Sequence, residues 1–113
     1  MKKIKIFLMI IGTVFVVSCE SNTYDQISVP VTNPTYVTNV KPVITANCTG
    51  CHNSGGQFPN LGTYDQLKTA IVSGKVICKI DGTCGSIMPT GGKMPQGTID
   101  MIKLWTANGF INQ

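Results

Sequence analysis

With 113 residues, the chain has room for one small domain. Its formal charge is +4, its nine basic side chains other than histidine are all lysine, and these are scattered rather than clustered. That excludes a basic recognition face, so no nucleic acid is expected as a partner.

The chain opens with the layout of an export signal over residues 1–18. Lys2, Lys3 and Lys5 form a positive start, and an apolar run follows from Ile6 to Val17, broken only by Gly12 and Thr13. The run is short for a membrane span, which needs roughly 20 residues. Ser18 is the small residue before a cut, and Cys19 follows it. Val16-Val17-Ser18-Cys19 resembles the lipobox of bacterial lipoproteins, with Val where Leu is commoner. The resemblance implies that Cys19 is acylated and becomes the new N-terminus. The protein is then exported and held by lipid on the periplasmic side of a membrane. Glu20, in place of the Asp that retains some lipoproteins at the inner membrane, favours the outer membrane. An uncleaved anchor, or ordinary cleavage with Cys19 left free, are the competing readings. Beyond Ser18 the chain keeps six lysines against five acids, so most of the positive charge belongs to the signal.

Residues 20–35 are polar, carry Pro30 and Pro34, and read with Cys19 as an extended tether. Sixteen residues reach at most roughly 50–55 Å. The compact domain is expected from Tyr36 to Gln113. Thr38 to Cys48 reads as a short helix, capped by Thr38 or Asn39, with Pro42 tolerated in its first turn. Val40, Val43 and Ile44 share one face. A Gly-rich loop runs from Ser54 to Asn60. Thr63-Tyr64-Asp65-Gln66 matches a capping box and starts a helix that should stop at Gly74, in a left-handed cap. Residues 75–96 are rich in Gly and Pro, without sustained periodicity. A last helix is expected from about Gln96 or Gly97 to Asn108, with Ile99, Ile102 and Trp105 on one face. No stretch alternates long enough for a strand. The expected class is mostly α, with long functional loops.

Cys48-Thr49-Gly50-Cys51-His52 is the C-x-x-C-H attachment motif of c-type haem. The spacing has a chemical cause. Two thiols must reach the two vinyl groups of one porphyrin, and the next residue carries an imidazole under the iron. A zinc site would need four ligands. A dithiol redox pair would need a strand-to-helix setting, which is missing here.

These residues bring in a wider likeness. Residues 36–113 resemble the class I monohaem cytochrome c family. The likeness rests on the helix entering Cys48-Thr49-Gly50-Cys51-His52, on Phe58-Pro59-Asn60-Leu61-Gly62, on Met88-Pro89, and on the amphipathic last helix with Trp105. Phe58 stands where the family usually has Gly. The resemblance implies N- and C-terminal helices packed across each other around one covalent haem c. It also implies that the Pro59 carbonyl accepts from the His52 ring and that Leu61 presses on the porphyrin. Pro59 as a plain turn residue and Leu61 as plain core remain open.

His52 is the only histidine, so a second imidazole from the same chain is excluded as an iron ligand. Beyond the signal the thioethers are Met88, Met94 and Met101, and Met/His ligation raises the haem potential. Met101 falls within the last helix and reads as packing. Met88 and Met94 both precede proline. The family pattern favours Met88 as ligand and Met94 as the hydrophobe before the final helix, with Met94 as ligand, or an open iron, as alternatives. Cys78 and Cys84 remain. Export permits a disulfide between them, and Asp81-Gly82 is a turn signal in the intervening segment. Two buried free thiols are the other reading.

No paired carboxylates, nucleophile with a second histidine, or phosphate loop suggests substrate chemistry. The expected role is electron transfer between redox partner proteins, not enzymatic catalysis. Two alternatives compete: a haem subunit of a larger respiratory oxidoreductase assembly, and a gas or redox sensor or small peroxidase with an open iron position.

Overall fold

The structure, a computed structural model, describes residues 30–113. The signal, Cys19 and the start of the tether lie outside the described residues. Burial begins at Pro34, just ahead of the first helical turn.

That turn is a π-helix, Tyr36–Val40, running directly into α1, Lys41–Asn47. The cap is Thr35, not Thr38 or Asn39. Thr35 is extended, its hydroxyl accepts from Thr38 N–H at 3.4 Å, and its own N–H donates to Asn39 Oδ1 at 2.9 Å. These exchanges satisfy donors that a helix start leaves orphaned. Pro42 falls in the first turn of α1, where its missing N–H costs nothing. Tyr36, Val40 and Ile44, spaced by four, are buried on one face.

Helix α2, Tyr64–Ser73, has the expected capping box: Gln66 N–H donates to Thr63 Oγ1 at 3.3 Å, and Thr63 N–H to Gln66 Oε1 at 3.1 Å. Its end differs from expectation. Gly74 is extended rather than left-handed. A Cβ there would run into the Ala70 carbonyl, so glycine serves close approach. The chain then turns at once into α3, Val76–Asp81, a helix within the stretch where the sequence shows no sustained periodicity. Gly82 takes the left-handed cap instead, at φ 81°. Helix α4, Gln96–Ala107, begins and ends where expected, with Gly109 left-handed behind it at φ 85°.

The described residues thus form a small, mostly helical globule without strands. Helix α4 lies against both the π turn and α3. Ile99, Ile102 and Trp105 are its buried face. Trp105 sits among Tyr36, Tyr64 and Phe110, with ring centroids 5.0–6.2 Å away. Its Nε1–H donates to Ile111 O at 2.8 Å, Tyr64 OH to Phe110 O at 2.7 Å, and Tyr36 N–H to Ile111 O at 2.8 Å. The last residues therefore tie the end of the chain to the first helix. An apolar body with a satisfied polar tip is what makes Trp and Tyr workable in such a core.

Candidate functional site

Cys48 closes α1, and the helical turning continues beyond it. Cys48 N–H donates to Ile44 O at 2.9 Å, and Cys51 and His52 N–H donate back to Cys48 O at 3.2 and 2.9 Å. One turn thus carries both thiols and the imidazole. The chain next doubles back under its own carbonyls: Gln57 N–H donates to Cys51 O at 2.7 Å and Leu61 N–H to His52 O at 3.0 Å. Gly56 makes this fold possible, because a Cβ there would collide with the Cys51 carbonyl. Cys48 is half-buried and Cys51 exposed, both as free thiols. Burial pushes the Cys48 thiol above its ordinary range.

The His52 ring is oriented by main chain. Its Nδ1 lies 2.9 Å from Pro59 O and 3.2 Å from Gln57 O. Carbonyls only accept, so this arrangement selects the tautomer protonated at Nδ1 and leaves the lone pair on Nε2.

Cys48, Cys51, His52, Pro59, Leu61 and Met88 all line one cleft, with a volume of about 510 Å³. That falls in the range of small-molecule and cofactor sites, roughly 300–1,000 Å³. Its floor is apolar, with Ile44, Leu67, Ala70 and Ile102. The three candidate methionines separate. Met88 lines the cleft and is half-buried. Met94 is buried in the core at 6% exposure, and Met101 packs beside the core; neither borders the cleft.

A second part of the cleft lining comes from α3 and the segments on either side of it. Cys78 and Cys84 are joined, with Cα atoms 5.3 Å apart, so the loop is stapled to the helix. Thr83 N–H donates to Cys78 O at 2.9 Å and Met88 N–H to Lys79 O at 3.1 Å. The joined pair has no thiolates to complete a four-ligand zinc site with Cys48 and Cys51. Among the described residues no three His, Cys, Asp or Glu side chains converge.

Three of the lining residues not expected from the sequence stand out by charge or exposure: Lys75, Lys79 and Phe58. Lys75 directly precedes α3 and Lys79 lies within it, a helix that no periodicity in the sequence announces. Phe58, 94% exposed at the cleft, was noted only for departing from the family's usual Gly. No family model, curated protein or solved structure matches the chain.

Proposed function

We propose that this chain is an electron-transfer protein carrying one covalent haem c, ligated by His52 and Met88 and tethered by lipid on Cys19. One observation carries the reading: a thiol pair, an imidazole with its Nε2 lone pair free, and a thioether border the same apolar cleft. That donor set fits the group. Cys48 and Cys51 would hold the porphyrin through thioether bonds, and Leu61 and the floor would exclude water from its face. The haem supplies a one-electron couple when bound. The chain's part is to orient His52 through Pro59 and to hold Met88 near by the Cys78–Cys84 staple. With His52 and Met88 both holding the iron, the site would suit electron passage between redox partners rather than substrate turnover.

Lipid anchoring and export rest on residues 1–20 of the sequence. Among the described residues no helix is long and apolar enough to cross a membrane. By the lipobox resemblance the anchor is on the periplasmic side of a membrane, and Glu20 favours the outer one.

The test is direct. Protein purified from membranes should outweigh its polypeptide by one haem plus lipid, and acid-acetone should not extract the haem. The reduced form should bind carbon monoxide poorly at neutral pH. Extractable haem ends the covalent reading. Ready carbon monoxide binding by the unaltered protein replaces electron transfer with the sensor or peroxidase reading.

A further inference from the structure

The cleft carries a second chemical signal. Of the side chains lining it, only Lys75 and Lys79 are charged, and no carboxylate borders it. Lys75 directly precedes α3 and Lys79 lies within it, joined by the Lys79 N–H to Lys75 O bond of 2.9 Å, and both border the cleft. The one ion pair among the described residues is Lys103–Asp81, so neither cleft lysine has a carboxylate partner. Lys79 is half-buried, and its ammonium donates to Ser86 Oγ at 3.2 Å. An ammonium has three donors, so two remain for something else. Lys75 is exposed and Lys79 half-buried at the cleft, and an anionic group placed there pairs with both where a wholly apolar ligand pairs with neither. The cleft is therefore built for a ligand with an apolar body and an anionic end.

We propose that Lys75 and Lys79 receive the two propionate carboxylates of the porphyrin and so set which way round it lies. This rests on the haem reading above. Thioether bonding to Cys48 and Cys51 uses the vinyl side of the macrocycle, while the carboxylates hang from its other end. Two ammonium groups match two carboxylates, and ion pairs shielded by a porphyrin face are stronger than surface pairs. A cation paired there also favours the ferrous state, because it opposes the added positive charge of ferric iron.

The experiment compares holoprotein of the unaltered chain with Lys75→Gln, Lys79→Gln, Lys79→Arg and, as a control for charge alone, Lys93→Gln at an exposed position off the cleft. Two properties are read: the propionate bending modes in resonance Raman spectra, and the midpoint potential. Lys75→Gln and Lys79→Gln should each shift the propionate modes. Each should also move the ferric-to-ferrous ratio at fixed potential roughly three- to tenfold toward ferric. A tenfold change corresponds to about 59 mV for a one-electron couple. Lys79→Arg should restore both properties, and Lys93→Gln should change neither. If both glutamine variants keep unshifted propionate modes and the original potential, the assignment is overturned while the haem reading stands. If Lys79→Gln does not accumulate, Lys75→Gln and Lys79→Arg read the same modes. An unaltered chain without covalent haem removes the haem reading itself.

Discussion

The two walls of the cleft are built by different means. The wall holding Cys48, Cys51 and His52 is laced by its own main chain. Within fourteen residues, His52 N–H meets Cys48 O at 2.9 Å, Gln57 N–H meets Cys51 O at 2.7 Å, Leu61 N–H meets His52 O at 3.0 Å, and Pro59 O holds the ring. The wall holding Met88 has fewer such ties. A six-residue helix, one disulfide and the Met88 N–H to Lys79 O bond of 3.1 Å carry the loop. The first wall is rigid through local contacts. The second depends on a covalent staple and on packing against α4. Under the proposed ligation by His52 and Met88, the Met88 segment is the place where the site should fail first.

The largest effect should come from the laced wall. Cys48→Ala combined with Cys51→Ala should abolish covalent haem, read as loss of the added mass and of haem absorbance in the denatured protein. Normal haem content in this variant would remove the comparison's basis.

Next is the contrast between two methionines. Met88→Ala should open the iron to carbon monoxide and lower the potential, because thioether ligation favours ferrous iron. Its effect on stability should be smaller than that of Met94→Ala. Met94 is buried in the core, and truncating a buried Met costs about 2–5 kcal/mol. Met94→Ala should therefore lower the denaturation midpoint yet leave the spectrum and carbon monoxide binding nearly unchanged. The reverse pattern would exchange the two roles.

The staple ranks third. Replacing Cys78 and Cys84 together by Ser should cost about 2–3 kcal/mol, by loop-closure entropy. Beyond that loss, carbon monoxide should gain access to the reduced protein, since the loop carrying Met88 is then tied to α3 through hydrogen bonds without a covalent link. A pure stability loss with unchanged carbon monoxide binding would show that packing alone positions Met88.

The smallest effect concerns acid. Lys103 Nζ lies 2.7 Å from Asp81 Oδ2 at the end of α3. Its hydrogen bond holds the Asp81 carboxyl below the ordinary value of 3.8. A lowered folded value means the pair's stabilisation is complete above that ordinary value and fades as pH falls through the folded one. Lys103→Ala should leave little of this dependence, seen as a smaller drop in thermal midpoint between neutral and strongly acidic pH. The change should be slight, because both side chains are partly solvated.

Much of the fold was legible from local chemistry. The Thr63–Gln66 capping box and the last helix, ended by Asn108-Gly109, appear where the sequence put them. Their signals involve residues within one or two helical turns. The first helix was placed slightly late because Thr35 competes with Thr38 for the cap, and its bond to Asn39 was not visible in pattern alone. Helix α3 was missed because six residues hold too little periodicity to read, and so short a helix owes its stability to its surroundings. Val76 and Ile77 pack against the core and Ile80 is part of it, while the disulfide holds its far end.

What the sequence determined by itself was the set of chemical groups. The spacing of Cys48, Cys51 and His52 is covalent fact, a single histidine removes one ligation choice, and the thiols left over were two. Tertiary structure decided which groups meet. It brought Met88 to the cleft and sank Met94 into the core, a distinction that two Met-Pro pairs cannot carry. It turned the Pro59 carbonyl onto His52 and set two lysines among the cleft's lining residues. Each of these depends on how separate segments pack, and packing is settled by the burial of Trp105, Ile99 and Leu67 together rather than by the residues on either side of a motif.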